Sequence, residues 1–102
     1  MNANVHLLAQ VRMDTPEWKI VGSVELGPQH SQSKTRHRIG GREVFDFKRL
    51  ELGNYAGQEG YYLLHICSDD TGTDTWHQTL EDALHQAEWE FGVRRNEWQM
   101  IE

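Results

Sequence analysis

Six histidines, His6, His30, His37, His65, His77 and His85, stand in a chain of 102 residues. Imidazole is both the commonest metal ligand and the side chain that titrates near neutrality. A zinc centre read from sequence needs three or four ligands at short, rigid spacing. No His-x-x-x-His, His-Glu-x-x-His or Cys-x-x-Cys pattern occurs, so the histidines read as scattered surface and interface residues. No metal or cofactor is expected.

Carboxylates offer a second chemistry. Asp69-Asp70-Thr71-Gly72-Thr73-Asp74 has the composition of part of a calcium loop. Counted from Asp69, position twelve is Leu80 and not the required Glu; counted from Asp70, Gly72 falls at position three instead of six. The segment therefore reads as a capped turn. Asp74 with Glu81 or Asp82 could form a hydrolytic carboxylate pair, which needs two carboxyls of separated pKa in a cleft. Carboxylates at a helix start more commonly serve the helix dipole.

Asp74 with His77, and His65 behind them, leaves open a small hydrolase or isomerase. Cys67 is the single cysteine, so no intrachain disulfide forms, as in a reducing compartment. It reads as a small buried residue, since a nucleophilic thiol needs a depressed pKa and a base; His65, two residues away on one strand face, is the one candidate base. No Gly-x-Ser-x-Gly and no phosphate-binding loop is present.

Charge narrows the partners. Residues 1–52 carry a net +2 and residues 53–102 a net −8. An acidic half argues against a nucleic-acid binder, which needs a basic surface; it suits a basic protein partner, or solubility alone. Lys34-Thr35-Arg36-His37-Arg38 lacks the interleaved aromatics of a single-strand binder and reads as a solvated loop. No stretch approaches the ~20 apolar residues of a membrane span. No signal peptide is visible, so the chain reads as cytoplasmic.

The elements that would position these residues form a single domain, 1–102. Val5, Leu7, Ala9, Val11 and Met13 alternate with polar residues, as do Trp18, Ile20, Val24 and Leu26. This is the period of half-buried strands, and the two runs read as a hairpin around Asp14-Thr15-Pro16-Glu17. Gly27 to Gly41 is polar and reads as a mobile loop. Glu43 to Leu52 reads as a third strand, Gly53 to Gly60 as a turn-rich connection, Tyr61 to Cys67 as a central strand apolar on both faces, and Ser68 to Thr73 as a loop.

A helix follows. Leu80, Ala83, Leu84, Ala87 and Phe91 keep the spacing of one buried stripe. Thr79 is placed to cap its start and Gly92 to close its end. Trp98, Met100 and Ile101 read as a last strand or a packed tail. The predicted architecture is α+β: a four-stranded antiparallel sheet with one C-terminal helix packed on one face.

Asp74-Thr75-Trp76-His77, Leu80-Glu81-Asp82-Ala83, Gln86 to Val93 and Trp98 form the most distinctive stretch. From about Gly60 to Trp98 the chain resembles small bacterial α+β proteins with a Gly-Tyr-Tyr-Leu strand, an Asp-Thr-Trp-His turn and a helix ending Glu-Phe-Gly-Val, of immunity or accessory type. That resemblance implies the fold and brings no activity with it. It marks Asp74, Trp76 and His77 as the turn to test.

Trp89 lies nearly opposite the apolar stripe, with His85 one turn before it. The pair reads as a contact for a partner or a homodimer, unless the tail through Trp98 folds back over Trp89. The reading drawn from the whole chain is a non-enzymatic, protein-binding immunity or accessory domain with an acidic contact surface. Its alternatives are the Asp74/His77 hydrolase or isomerase and a small-ligand pocket walled by Trp76, Tyr62 and Trp98.

Overall fold

The structure is a computed structural model and describes residues 4–7, 18–31, 37–44 and 46–101. It is an α+β fold. Its strands are β1 (Asn4–Leu7), β2 (Trp18–Glu25), β3 (His37–Ile39), β4 (Arg42–Val44), β5 (Phe47–Tyr55), β6 (Tyr61–Cys67), β7 (Thr71–His77) and β8 (Gln99–Met100). Its helix, α1, spans Leu80–Phe91, and a 3₁₀ turn spans Arg95–Glu97.

One antiparallel sheet of six strands runs in the order β1-β7-β6-β5-β2-β8, two more than the sequence pattern indicates. β6 lies inside it, as its apolar run on both faces requires. The helix side packs Val24, Leu50, Leu52 and Leu63 against Ala83, Leu84, Ala87, Phe91, Val93 and Trp98. On the opposite side Leu64 and Ile66 pack with Trp18 and Tyr62.

α1 forms where the apolar stripe begins. The Thr79 hydroxyl accepts from the Asp82 N–H at 3.1 Å, and Gly92 ends the helix in the left-handed conformation. Glu81 and Asp82 occupy the first turn, where the helix dipole favours anions.

Four sequence readings change. β1 pairs with β7, in register Asn4↔Asp74 through Leu7↔Thr71. β2 pairs instead with β5 and β8, so β1 and β2 are not a hairpin; residues 8–17, which include the expected turn, lie outside the described part.

The Asp-Thr-Trp-His segment is strand, not turn. β7 places β-branched Thr71, Thr73 and Thr75 on its helix side, and threonine suits a pleated, half-buried surface. The chain reverses before it at Ser68-Asp69-Asp70, where Asp70 takes positive φ.

The Gly27–Gly41 segment is anchored at both ends. The Ser31 N–H donates to the Phe91 carbonyl at 2.8 Å. Residues 37–39 pair with β4 as a small second sheet. Gly40 and Gly41, at φ 59° and 79°, supply the two positive-φ positions of a tight hairpin turn. Residues 32–36 lie outside the described part. The expected third strand is divided at the junction of β4 and β5, and β5 extends to Tyr55.

Candidate functional site

The helix side of the sheet encloses a cluster of ionisable groups that no sequence motif announces. Glu90 on α1 is fully buried, as are His65 on β6 and, to 1 % exposure, His37 on β3. His37 Nε2 lies 2.7 Å from Glu90 Oε2, and His65 Nε2 lies 3.2 Å from Glu90 Oε1. Gln86, one turn earlier, donates its amide N–H to Oε1 at 3.0 Å.

The far edges of both imidazoles meet one residue. His37 Nδ1 is 2.7 Å from the Thr73 hydroxyl and His65 Nδ1 is 3.3 Å from the Thr73 carbonyl. The ring centroids are 4.5 Å apart, and Phe47 and Phe91 wall them.

An isolated carboxylate in such a place is expensive. Burial pushes the Glu90 carboxyl up, yet hydrogen bonds from His37 and His65 outweigh it and hold the pKa well below the ordinary carboxylate range. The cluster is an anion held between two imidazoles in an apolar enclosure.

Other histidines serve locally. The Gly27 N–H donates to His30 Nδ1 at 2.9 Å, so the His30 proton sits on Nε2, which donates to Glu97 Oε1 at 2.6 Å. That pair ties the start of the 27–31 segment to the 3₁₀ turn. His77 Nε2 is 2.7 Å from the Thr75 hydroxyl; burial, and secondarily His65, pushes its pKa down.

Asp74 and His77, three positions apart on β7, lie on opposite faces of the sheet. The strand therefore does not bring them together. Asp74 is buried beside Tyr62, whose hydroxyl pKa is raised by burial and by the Asp74 charge. Cys67 is buried, and burial followed by the Asp46 charge pushes its thiol up, away from the thiolate a nucleophile needs. It borders a surface cleft of about 300 Å³ that also includes Arg42, Asp46 and Asp69.

On the side of the sheet away from α1, aromatic residues cross the strands in a row. Trp18 packs edge-on against Tyr55 at 5.0 Å and Tyr55 edge-on against Tyr62 at 5.6 Å, while Trp18 and Tyr62 lie tilted at 6.2 Å. Trp76 sits directly across from Tyr62 on β7 and is 49 % exposed. Its indole lies on Gly60, where a Cβ would overlap the ring and where φ is +95°. Glycine at this position leaves room for the ring to lie against the backbone.

Trp98 is buried in the helix-side core. It shares no wall with Trp76 and Tyr62, and it does not cover Trp89, which is 53 % exposed on the outer face of α1 near exposed His85. No protein-family model matches the chain, and no curated protein or solved structure matches it.

Proposed function

We propose that this chain is a non-enzymatic protein-binding domain, of immunity or accessory type, that receives its partner on the aromatic face centred on Trp76. The observation that carries this reading is a tryptophan half exposed yet seated on Gly60, beside a packed row of Tyr62, Tyr55 and Trp18. Large, rigid aromatic anchors are what interfaces concentrate, because they bury much area while losing little conformational freedom.

The partner is basic. The −8 charge of residues 53–102 speeds encounter with a cationic surface, and a partner arginine can stack on the Trp76 ring. Trp89 and His85, with Asp82 and Glu88 beside them, form a second exposed patch for the same partner or for a second copy of the chain. A single buried Cys67 is compatible with a reducing, cytoplasmic setting, and no helix among the described residues is long and apolar enough to cross a membrane.

Affinity capture from lysate of the source cells tests the reading. Wild type should retain a specific protein in a salt-sensitive manner. Trp76→Ala should lose it while remaining folded, and Trp89→Ala reports separately on the helix patch. Retention of the same protein by Trp76→Ala at wild-type level defeats this assignment of the face.

A further inference from the structure

On the other side of the sheet from the docking face, we propose that His37, His65 and Glu90 bind one divalent transition-metal ion of the zinc class. Three observations converge on this. The three side chains come from β3, β6 and α1, and one ligand atom from each lies within 4.8 Å of the others. Two imidazoles and a carboxylate are a donor set that suits zinc and its neighbours and not calcium or magnesium, which prefer all-oxygen surroundings.

The rings are also oriented as ligands. Metal-binding histidines direct the second ring nitrogen to a carbonyl or another acceptor, which fixes the tautomer. Thr73 does this for both rings, with its carbonyl facing His65 Nδ1 and its hydroxyl facing His37 Nδ1.

The hydrogen count at His65 gives the third argument. A carbonyl oxygen only accepts, so His65 Nδ1 carries a hydrogen. In neutral imidazole the Nε2 lone pair then points at Glu90 Oε1, 3.2 Å away. Two acceptors face one another, and a cation belongs between them. A second proton on the ring is one such cation; a metal ion is the other, and a single ion there also reaches His37 Nε2, which faces the same carboxylate.

Ligand atoms about 2.0–2.1 Å from a tetrahedral ion lie roughly 3.3 Å from each other, against 2.7 Å and 3.2 Å for the two imidazole–carboxylate pairs. Seating the ion therefore requires His37 Nε2 to draw back from Glu90 by roughly half an ångström. Because His37 comes from the β3–β4 hairpin and Glu90 from the helix, the ion would pin that hairpin to the body of the domain.

The experiment uses the full chain stripped with a strong chelator. Zinc alone, titrated calorimetrically, should bind at one equivalent and raise the unfolding midpoint. Cobalt alone should give the intense visible d–d bands of a four- or five-coordinate site. Histidine-ring NMR on the zinc-loaded protein should show two rings losing Nε2 protonation while keeping Nδ1–H.

Glu90→Gln and His37→Gln should weaken zinc by at least 100-fold, and Thr73→Val, which keeps the ligands and removes one orienting hydroxyl, by about 10–100-fold. His85→Gln, at an exposed position on α1, should leave zinc uptake unchanged. The proposal is overturned if stripped wild type takes up no stoichiometric zinc, if cobalt gives only the faint spectrum of a hexa-aquo-like ion, or if His85→Gln abolishes binding while Thr73→Val does not affect it. The wild-type measurements decide even where a variant fails to fold. A failure here leaves the docking reading intact, because Trp76 and the cluster lie on opposite sides of the sheet.

Discussion

Glu90→Gln on metal-free protein should destabilise the fold by about 3–5 kcal/mol, the cost of removing one partner from a buried, hydrogen-bonded charge cluster. The figure follows from what the side chain does. Glu90 is fully buried and sits within hydrogen-bonding distance of His37 at 2.7 Å, Gln86 at 3.0 Å and His65 at 3.2 Å. Charge-assisted hydrogen bonds contribute about 1.5–3 kcal/mol each. Glutamine keeps the shape but removes the charge and turns one acceptor into an N–H donor, so one imidazole loses its acceptor. Out of a total stability of about 5–15 kcal/mol, that loss leaves a marginal domain. At about 4–8 °C per kcal/mol for a chain near this size, the unfolding midpoint falls on the order of 12 °C or more. Urea unfolding followed by tryptophan fluorescence measures it, with the slope checked for an unchanged two-state transition. Glu88→Gln, exposed two residues earlier on the same helix, should stay within about 0.5 kcal/mol. A Glu90→Gln loss below about 1 kcal/mol would refute the reasoning, because the carboxylate would then be hydrated or already neutral.

Leu84→Ala should cost about 2–5 kcal/mol, since Leu84 is 8 % exposed within the helix-side core; a shift within 0.5 kcal/mol in urea unfolding would contradict that packing. His77 predicts a pH effect with a definite sign. Burial lowers its folded pKa below the ordinary 6.5, so the unfolded chain binds the proton first. Its contribution is full above about 6.5 and declines as the pH falls below that value. Wild type should therefore lose more stability than His77→Gln between roughly pH 7.5 and 5.5; equal losses in parallel unfolding curves would contradict the burial account.

Helix α1 was legible in the sequence because its signals are local. The apolar stripe, the Thr79 cap and the Gly92 stop all lie within one stretch and agree. β6 was legible for a similar reason, its apolar run having no outward polar face. β7 was not, since Asp69 to Asp74 is rich in turn-forming residues; the overlooked signal was Thr71, Thr73 and Thr75, β-branched at alternate positions. The β1–β7 pairing is a long-range contact that no hairpin pattern encodes. The buried cluster escaped because its members come from three elements, so no short spacing links them. One clue existed: Glu90 is seven residues after Ala83 and three after Ala87, which puts a charge on the buried stripe. The sequence pattern reads Trp76 as part of a turn, and its place on a sheet face follows from β7 being a strand. The helical spacing alone puts Trp89 on the outer helix face, where it is exposed.

If another protein docks on the Trp76 face, site-specific photo-cross-linking in the source cells will trap it there. Benzoyl-phenylalanine at position 76 keeps an aromatic side chain there and reports what lies against it. The same group at position 42, exposed on the β3–β4 hairpin, is the control. One dominant adduct is expected from position 76, identical in repeated purifications and richer in Lys and Arg than in Asp and Glu, and none from position 42. No adduct from position 76, or the same adducts from both positions, would contradict it.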